Sequence, residues 1–482
     1  MGFLPFFSLE SWLLLIVFVC IFVMYGYWTF GVFEKLGVPG TKPVMYWGTI
    51  TRHNPVYYLG DVESFQKYGR VWGMYEFRTP VLAVMDPDML KTILVKESFT
   101  YFTNRRRLLL NGDLYDAVSI VEDDHWRRIR NIFSPLFTSG RVKEMFSTMK
   151  HHSHKLTCSL QSKAQNGEVY YCMCVSRFLG PYSIDVMVSC TFSVDMDTIN
   201  NPSSALITHA SKLFKIPTRL FILQGFFPFL LPLLELMDVS FFSKSSTAYF
   251  KTIFDKIKHA YMPSHLRSDT FLSVWSSPSG LTDHEIFSQA ALFVMAGYET
   301  NTTTLVFLAY CLATNPDVMI RLQEEIDSTF PNKGPIQYEA LVQMEYLDCV
   351  FNECLRLYPS SARLERMSKE NVKINGITIP KDMIVTVPVY ALHRDPELWP
   401  EPETFNPDRF SKENKQHIKP YSFLPFGVGP RNCVGIRFAT VMIKLALVEI
   451  LQNYSFSVCK ETEVIIMHPL QTLVNMVNYI CF

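Results

Sequence analysis

The most informative run in the chain is Phe426-Gly427-Val428-Gly429-Pro430-Arg431-Asn432-Cys433-Val434-Gly435. Glycine lets backbone segments approach closely, so amide N–H groups can point at the Cys433 sulfur and lower the basicity of its thiolate. Arg431 adds a fixed positive charge two residues before the cysteine. A buried structural cysteine in a turn would not account for a phenylalanine, three glycines and an arginine at these offsets. The run therefore predicts a thiolate that binds a metal and faces a cofactor bearing carboxylates.

Two charged motifs precede this run. Glu353 and Arg356 are three residues apart in Glu353-Cys354-Leu355-Arg356, a spacing that lets the two charges meet on one face of a helix. Alone this tetrapeptide is a weak signal, because exposed ion pairs at this spacing are common and stabilise little. Arg409 follows in Pro407-Asp408-Arg409-Phe410.

A third motif, Ala296-Gly297-Tyr298-Glu299-Thr300, lies within a helical pattern from about residue 283 to 314. Gly297 weakens the helix and is expected to permit a local opening. Glu299 and Thr300 offer a carboxyl and a hydroxyl for proton delivery. The alternative is ordinary helix polarity, with the threonine hydroxyl bonded back to its own helix. Beside a metal-binding cysteine the functional interpretation is favoured.

The glycine-rich run resembles Phe-Gly-x-Gly-x-Arg-x-Cys-x-Gly, the haem-binding loop of the cytochrome P-450 superfamily. The Glu-x-x-Arg and Pro-Asp-Arg-Phe segments are similar to two further motifs of that family and occur in the same order. The resemblance is strongest to the vertebrate subfamily A of family 3. It implies a mainly α fold with small β-sheets (α+β), a haem b cofactor (iron protoporphyrin IX) with Cys433 as metal ligand, and a buried network of Glu353, Arg356 and Arg409 behind the haem.

The resemblance also implies specific contacts. Trp126 and Arg130 share a helix face, so an indole and a guanidinium can reach the same haem carboxylate. The implied haem contacts as a whole are Arg105, Trp126, Arg130, Ala296, Arg366, Pro425, Phe426, Arg431, Cys433 and Gly435. The implied substrate contacts are Ser119, Met295, Ala362 and Arg363.

The chain departs from the family pattern at several places. Asn301 replaces the usual threonine or serine after Thr300, and Met295 replaces an expected phenylalanine. The stretch from about 258 to 282 looks shortened, and residues 464–482 do not resemble the usual terminal hairpin. These departures leave the identity of the substrate open.

The domain organisation follows from the apolar pattern. Between Glu10 and Glu34 there is no charged side chain, and such a length of apolar helix spans a bilayer. We expect a short luminal amino terminus at 1–10, a transmembrane anchor at 11–33, a Pro/Gly hinge at 34–44 and one catalytic domain at 45–482. Lys35, Lys42 and Arg52 follow the apolar run, so the positive-inside rule predicts a single-pass protein with a cytoplasmic body. The resemblance implies that the membrane is that of the endoplasmic reticulum.

Composition excludes other classes. The 482 residues carry 45 Lys and Arg and 45 Asp and Glu, so no global field favours nucleic acid as a partner. The 11 cysteines are scattered, which predicts free thiols in a reducing compartment. The apolar segment 221–236 admits two interpretations, buried core or a surface that dips into the membrane. The sequence His151-His152-Ser153-His154 is interpreted as a solvated helix face, because a zinc site needs ligands from separated points.

The function predicted is that of an unspecific monooxygenase, which oxidises large lipophilic substrates such as steroids, drugs and other xenobiotics with O2. Since no GxGxxG fingerprint follows a strand, electrons should come from NADPH through a separate reductase, with cytochrome b5 as a further candidate partner. Two alternatives remain at this point, a haem-thiolate peroxide isomerase or dehydratase and a catalytically silent haem- or lipid-binding membrane protein. The cations proposed to dock the reductase are Arg127, Arg128, Lys143 and Lys444.

Overall fold

The computed structural model describes residues 8–52, 56–165, 176–213, 217–261, 280–459 and 462. Most of the stretch 258–282 and all of the tail 464–482 lie outside these residues. Within them the long helices are α1 (Leu9–Tyr27), α2 (Tyr57–Tyr68), α3 (Asp123–Phe133), α4 (Ser139–Gln165), α5 (Ser176–Phe192), α6 (Ala205–Leu213), α7 (Thr218–Phe226), α8 (Lys244–Tyr261), α9 (Asp283–Thr314), α10 (Pro316–Thr329), α11 (Glu345–Leu357) and α12 (Ile436–Leu451).

The strands form two small sheets, as expected for a mainly helical α+β protein. They are β1 (Val71–Glu76), β2 (Thr79–Val84), β3 (Leu364–Met367), β4 (Val372–Ile374), β5 (Ile377–Ile379) and β6 (Ile384–Val387). The larger sheet has the order β1-β2-β6-β3, with β2 and β6 parallel and the other two pairs antiparallel. The smaller sheet is a hairpin of β4 and β5, in which Asn375 and Gly376, a pair typical of hairpin turns, both have positive φ.

Helix α9 crosses the centre of the helical core. A capping box starts it, because the Thr282 hydroxyl accepts from the Glu285 N–H while the Glu285 carboxylate accepts from the Thr282 N–H. The helix spans Asp283–Thr314, as the sequence pattern predicts. Its buried residues pack in one large cluster with those of α4, α5, α11 and α12. A second, smaller core lies around the four-stranded sheet and includes Trp72 and Val385.

Helix α1 is the one straight helix among the described residues that is long and apolar enough to cross a membrane. It begins two residues before the predicted anchor and ends at Tyr27. Phe33, the last residue of the predicted anchor, lies in the short helix Val32–Leu36 and is buried in the smaller core. The chain thus enters the folded body a few residues earlier than the apolar run suggested.

Free thiols are confirmed at seven described cysteines, which are Cys20, Cys158, Cys190, Cys311, Cys349, Cys354 and Cys433. The prediction is wrong for Cys459, which is disulfide-bonded.

Candidate functional site

The glycine-rich run forms a tight loop that ends where α12 begins. Gly427 and Gly429 have φ of 69° and 77°, which side-chain-bearing residues rarely adopt. A Cβ at Gly429 would also overlap the carbonyl oxygen of Leu94. The N–H of Cys433 donates to the carbonyl oxygen of Phe426 at 2.9 Å, which closes the loop. The glycines therefore fix the position of the cysteine.

The Cys433 side chain is enclosed by protein and yet keeps accessible surface, as a residue lining an internal cavity does. Burial raises the pKa of the Cys433 thiol, while the N–H of Gly435 and the charges of Arg130 and Arg105 act in the opposite direction. Because burial outweighs these groups, a stable thiolate needs a further positive partner. A metal ion bound to the sulfur is such a partner.

Arg431 holds the segment before α3 against this loop. Its Nε donates to the Thr103 carbonyl oxygen at 2.8 Å and its Nη2 to the Val121 carbonyl oxygen at 2.9 Å. Its guanidinium also lies 4.2 Å from the centre of the Trp126 ring. Through these contacts Arg431 joins the loop to residues 103 and 121 and packs against the Trp126 ring. Burial, with repulsion from neighbouring arginines, lowers the pKa of Arg431 to about 9.

Three more arginines approach the loop, and they donate hydrogen bonds to neutral oxygens. Arg105 donates to the Arg431 carbonyl oxygen, Arg130 to the Asn432 side chain and Arg366 to the Glu365 carbonyl oxygen. Burial lowers the pKa of Arg366 to about 9, with repulsion from Arg105 adding to the effect.

One of these donors is orphaned. The Nε of Arg366 is buried and has no hydrogen-bond partner in the described part of the chain. A buried cationic donor without an acceptor is costly, and a carboxylate would satisfy it. The arginine cluster beside a cysteine thiol therefore fits haem, which has an iron for the sulfur and two propionates for the cations.

Arg106, the residue after Arg105, has acidic partners. It pairs with Glu76 at 2.6 Å and with Glu365 at 2.8 Å. Its charge is thus compensated within the protein, unlike that of Arg105 next to it.

One stretch of α9 breaks its burial pattern. The helix is buried on both sides of this stretch, whereas Ala296 and Thr300, one turn apart, are exposed and share a face. The Thr300 hydroxyl donates to the Ala296 carbonyl oxygen at 2.7 Å. The predicted motif thus presents its small residue and its threonine to the same open space.

The expected opening of α9 at Gly297 is wrong, because the helix continues unbroken from Asp283 to Thr314. A Cβ at Gly297 would lie 2.6 Å from the Cε of Met187 on α5. The missing side chain therefore allows α5 and α9 to pack closely. Sequence alone could not identify this contact, since Met187 lies over a hundred residues away.

The structure brings Glu353, Arg356 and Arg409 together. Glu353 and Arg356 are fully buried and 2.7 Å apart, and the Nε of Arg409 lies 3.3 Å from the same carboxylate oxygen. Arg356 also donates to the carbonyl oxygens of His393 and Pro402. Sequence reasoning missed His393 as a member of this network.

The remaining loop residues support the cysteine from both sides. Pro425 and Phe426 are half-buried, and the ring of Phe426 lies 6.5 Å from that of Phe351 on α11. Gly435 is the N-cap residue of α12. Phe426 accepts the hydrogen bond from the Cys433 N–H, and the Gly435 N–H faces the Cys433 thiol.

The four predicted substrate contacts have different surroundings. Ser119 lies half-buried in a turn, Met295 is half-buried on α9 and Ala362 is buried. Arg363 is held by ion pairs to Asp61 and Glu76, at 2.6 and 2.7 Å. Their contact with substrate remains a prediction.

The proposed docking cations do not form a set of free charges. Lys444 is buried, 3% exposed, and pairs with Asp348, so it cannot belong to a docking surface. The other three are exposed, and each pairs with a carboxylate: Arg127 with Asp124, Arg128 with Glu285 and Lys143 with Glu339. The docking prediction is therefore wrong for Lys444, which the packing of α12 against α4 buries.

Comparison with known proteins agrees with this geometry. The family model described as Cytochrome P450 matches residues 38–480. The chain is 53% identical to cytochrome P450 3A27 of Oncorhynchus mykiss over 96% of this chain and 92% of that protein. It is 54% identical to cytochrome P450 3A30 of Fundulus heteroclitus over 94% of both chains. Cytochrome P450 3A29 of Sus scrofa is 45% identical, over 96% of this chain and 94% of that protein.

Proposed function

Because this chain belongs to the cytochrome P450 family, we propose that Cys433 is the thiolate ligand of its haem iron. The enzyme is a haem-thiolate monooxygenase of the family 3A kind, which oxidises lipophilic compounds such as steroids and xenobiotics. The observation that carries the ligand assignment is an accessible cysteine on a glycine loop, beside arginines that have no acidic hydrogen-bond partner among the described residues.

The haem contacts proposed for this chain follow from the charges. The two propionates would be held by Arg105, Arg130, Arg366 and Trp126. Arg431 would keep Trp126 in place through its contact with the indole ring. When bound, haem supplies the iron at which molecular oxygen is activated, with electron density from the thiolate. The protein residues bind and orient this group and exclude water from the cysteine side.

We assign proton delivery to Glu299 and Thr300. The Thr300 hydroxyl shares its helix face with Ala296, whose small side chain leaves room beside it. A hydroxyl that donates to the Ala296 carbonyl oxygen can still accept a hydrogen bond from an incoming donor. Glu299 is the residue before Thr300, and we propose that its carboxyl group supplies protons from solvent.

The two alternatives lose support. Neither a peroxide isomerase nor a catalytically silent binding protein would need the acid–threonine pair. The relatives at 45 to 54% identity are cytochrome P450 3A proteins that match over almost all of the chain. Monooxygenation is therefore the function that the site and the family support together.

Helix α1 fits a membrane-anchored microsomal enzyme. We propose a cytoplasmic catalytic domain, since Lys35, Lys42 and Arg52 follow the helix. The apolar segment 221–236 supports a second membrane contact, because Phe229 is 63% and Leu236 is 85% exposed. Among the helical residues of this segment, only Leu231 is fully buried. The other interpretation, buried core, therefore applies to Leu231 only.

The redox partner is a reductase that passes on electrons from NADPH. We also propose cytochrome b5 as a second electron donor. A stopped-flow measurement of haem reduction with and without cytochrome b5 separates the two partners.

The ligand assignment is tested by the difference spectrum of the reduced carbon monoxide complex. Thiolate and imidazole ligands give separate absorption bands, so Cys433→Ser should remove the thiolate band. Cys158→Ser, which changes an exposed thiol, is the matched control and should retain it. Retention of the band in Cys433→Ser would refute the assignment. Turnover of a steroid and drug panel with reductase supplied tests the activity itself.

A further inference from the structure

Two imidazoles and a carboxylate meet away from the Cys433 loop. His151 and His152 lie on α4, and Asp195 lies in the loop that follows α5. One nitrogen of each ring and one oxygen of Asp195 all lie within 4.8 Å of one another. The sequence analysis interpreted the histidine run as a solvated face, but His152 is only 1% exposed.

The hydrogen bonds of Ser189 fix the tautomer of His152. The Ser189 hydroxyl donates its one proton to the Val194 carbonyl oxygen at 2.9 Å. The same oxygen lies 2.8 Å from the Nε2 of His152, so Nε2 must be the donor in that pair. The proton of a neutral ring therefore sits on Nε2, and Nδ1 carries the free lone pair.

That lone pair has no partner. The Nδ1 of His152 is buried and makes no hydrogen bond in the described part of the chain. Burial lowers the pKa of His152 to about 4, so the ring is neutral at pH 7. An imidazole whose other nitrogen is oriented by a hydrogen bond is the usual form of a metal-binding histidine.

We propose that His151, His152 and Asp195 bind a divalent first-row transition-metal ion of the zinc type, with water completing its coordination. Zn–N and Zn–O bonds of about 2.1 Å require ligand atoms about 3.4 Å apart in a tetrahedron. The His151 Nε2 and Asp195 Oδ2 atoms are 3.7 Å apart, so small side-chain rotations reach this geometry. Imidazole ligands select such ions over magnesium.

Lys155 is the competing cation in this cluster. Its Nζ lies 3.2 Å from Asp195 and 2.6 Å from Asp197. Because Asp197 is the nearer partner, Lys155 can stay with it while Asp195 turns to the metal. The ion would then connect α4 to the loop after α5, two elements that already pack together.

The experiment is isothermal titration of Zn²⁺ into the haem-loaded full chain, without a histidine tag, in detergent micelles. We expect one site in the wild type that His151→Ala and Asp195→Asn each weaken at least tenfold. Both side chains are substantially exposed, at 65% and 45%, so these variants should fold. Zinc should also raise the melting temperature of the wild type, and magnesium should not.

His154→Ala is the matched control, because His154 is an equally exposed histidine on the same helix. It lies beside Glu449 and Cys158 and thus also reports any site at that position. The proposal is overturned if zinc binding survives in both His151→Ala and Asp195→Asn. It is equally overturned if His154→Ala abolishes binding, or if the wild type binds no zinc.

Discussion

The Nε2 of His393 accepts a hydrogen bond from the backbone N–H of Leu424 at 2.9 Å. Its Nδ1 lies 3.1 Å from the carbonyl oxygen of Arg356 and must donate to it. One neutral imidazole thus connects the end of α11, which carries the buried Glu353–Arg356 pair, to the loop segment that leads to Cys433.

The pH dependence of stability should report this imidazole. Burial lowers the pKa of His393 to about 3, below its ordinary value of 6.5. Between these values the unfolded state binds a proton that the folded state does not. The contribution of His393 to the free energy of unfolding is therefore fully present above pH 6.5 and should fall by about 1.4 kcal/mol per pH unit between about pH 6 and about pH 3.

His393→Gln tests that assignment, since glutamine can still donate and accept but does not titrate. We expect the slope between pH 6 and pH 4.5 to be shallower by about 1.4 kcal/mol per unit in the variant. Urea unfolding at several pH values measures both slopes. The buried His152 contributes equally to both proteins, so equal slopes would rule out His393 as the source.

Removal of the shared carboxylate should be severe. Glu353→Gln leaves Arg356 and the Arg409 guanidinium without their buried counter-charge. We expect a loss of about 3–5 kcal/mol in the free energy of unfolding, and poor haem retention during purification. Glu403→Gln, which breaks the exposed end of the Arg394 pair, should cost less than about 1 kcal/mol. Similar losses in the two variants would contradict the buried network.

Arg105→Gln should release haem faster, because a charged hydrogen bond to a propionate is lost. Such a bond contributes about 1.5–3 kcal/mol, which corresponds to a rate about ten- to a hundredfold higher. Transfer of haem to apomyoglobin measures the release rate. Arg107→Gln, where the side chain is 64% exposed and paired with Glu122, should leave the rate unchanged. A rate unaffected by Arg105→Gln would remove this residue from the proposed haem contacts.

Gly297→Ala should destabilise the protein by about 1–3 kcal/mol, because its methyl group would collide with Met187. Combination with Met187→Ala should be less harmful than the sum of the single changes, with a coupling of about 0.5–3 kcal/mol. Gly140→Ala is the control, since no heavy atom lies within 4 Å of its Cβ position. Chemical unfolding of the four variants gives these differences. Additive losses would show that the two residues do not share this contact.

Local patterns determined a large part of the architecture. The run of apolar residues predicted α1, the bounds of α9 were correct, and Asn375-Gly376 is a pair typical of a hairpin turn such as that between β4 and β5. These features depend on neighbours in the sequence, through capping, periodicity and turn chemistry. The strand β3 was missed, because Leu364–Met367 is too short to show a period and forms only by pairing with β6.

The sequence by itself determined the chemistry of the Cys433 loop and the family, because the glycines and the thiol must stand at fixed offsets within ten residues. Only the tertiary structure decided which charges are compensated. Arg105 and Arg106 are neighbours in sequence, and only Arg106 reaches Glu76 and Glu365. Likewise His151 and His154 lie on one helix, and only packing of the loop after α5 brings Asp195 to the first. Such pairings join residues far apart in the chain, and no local pattern encodes them.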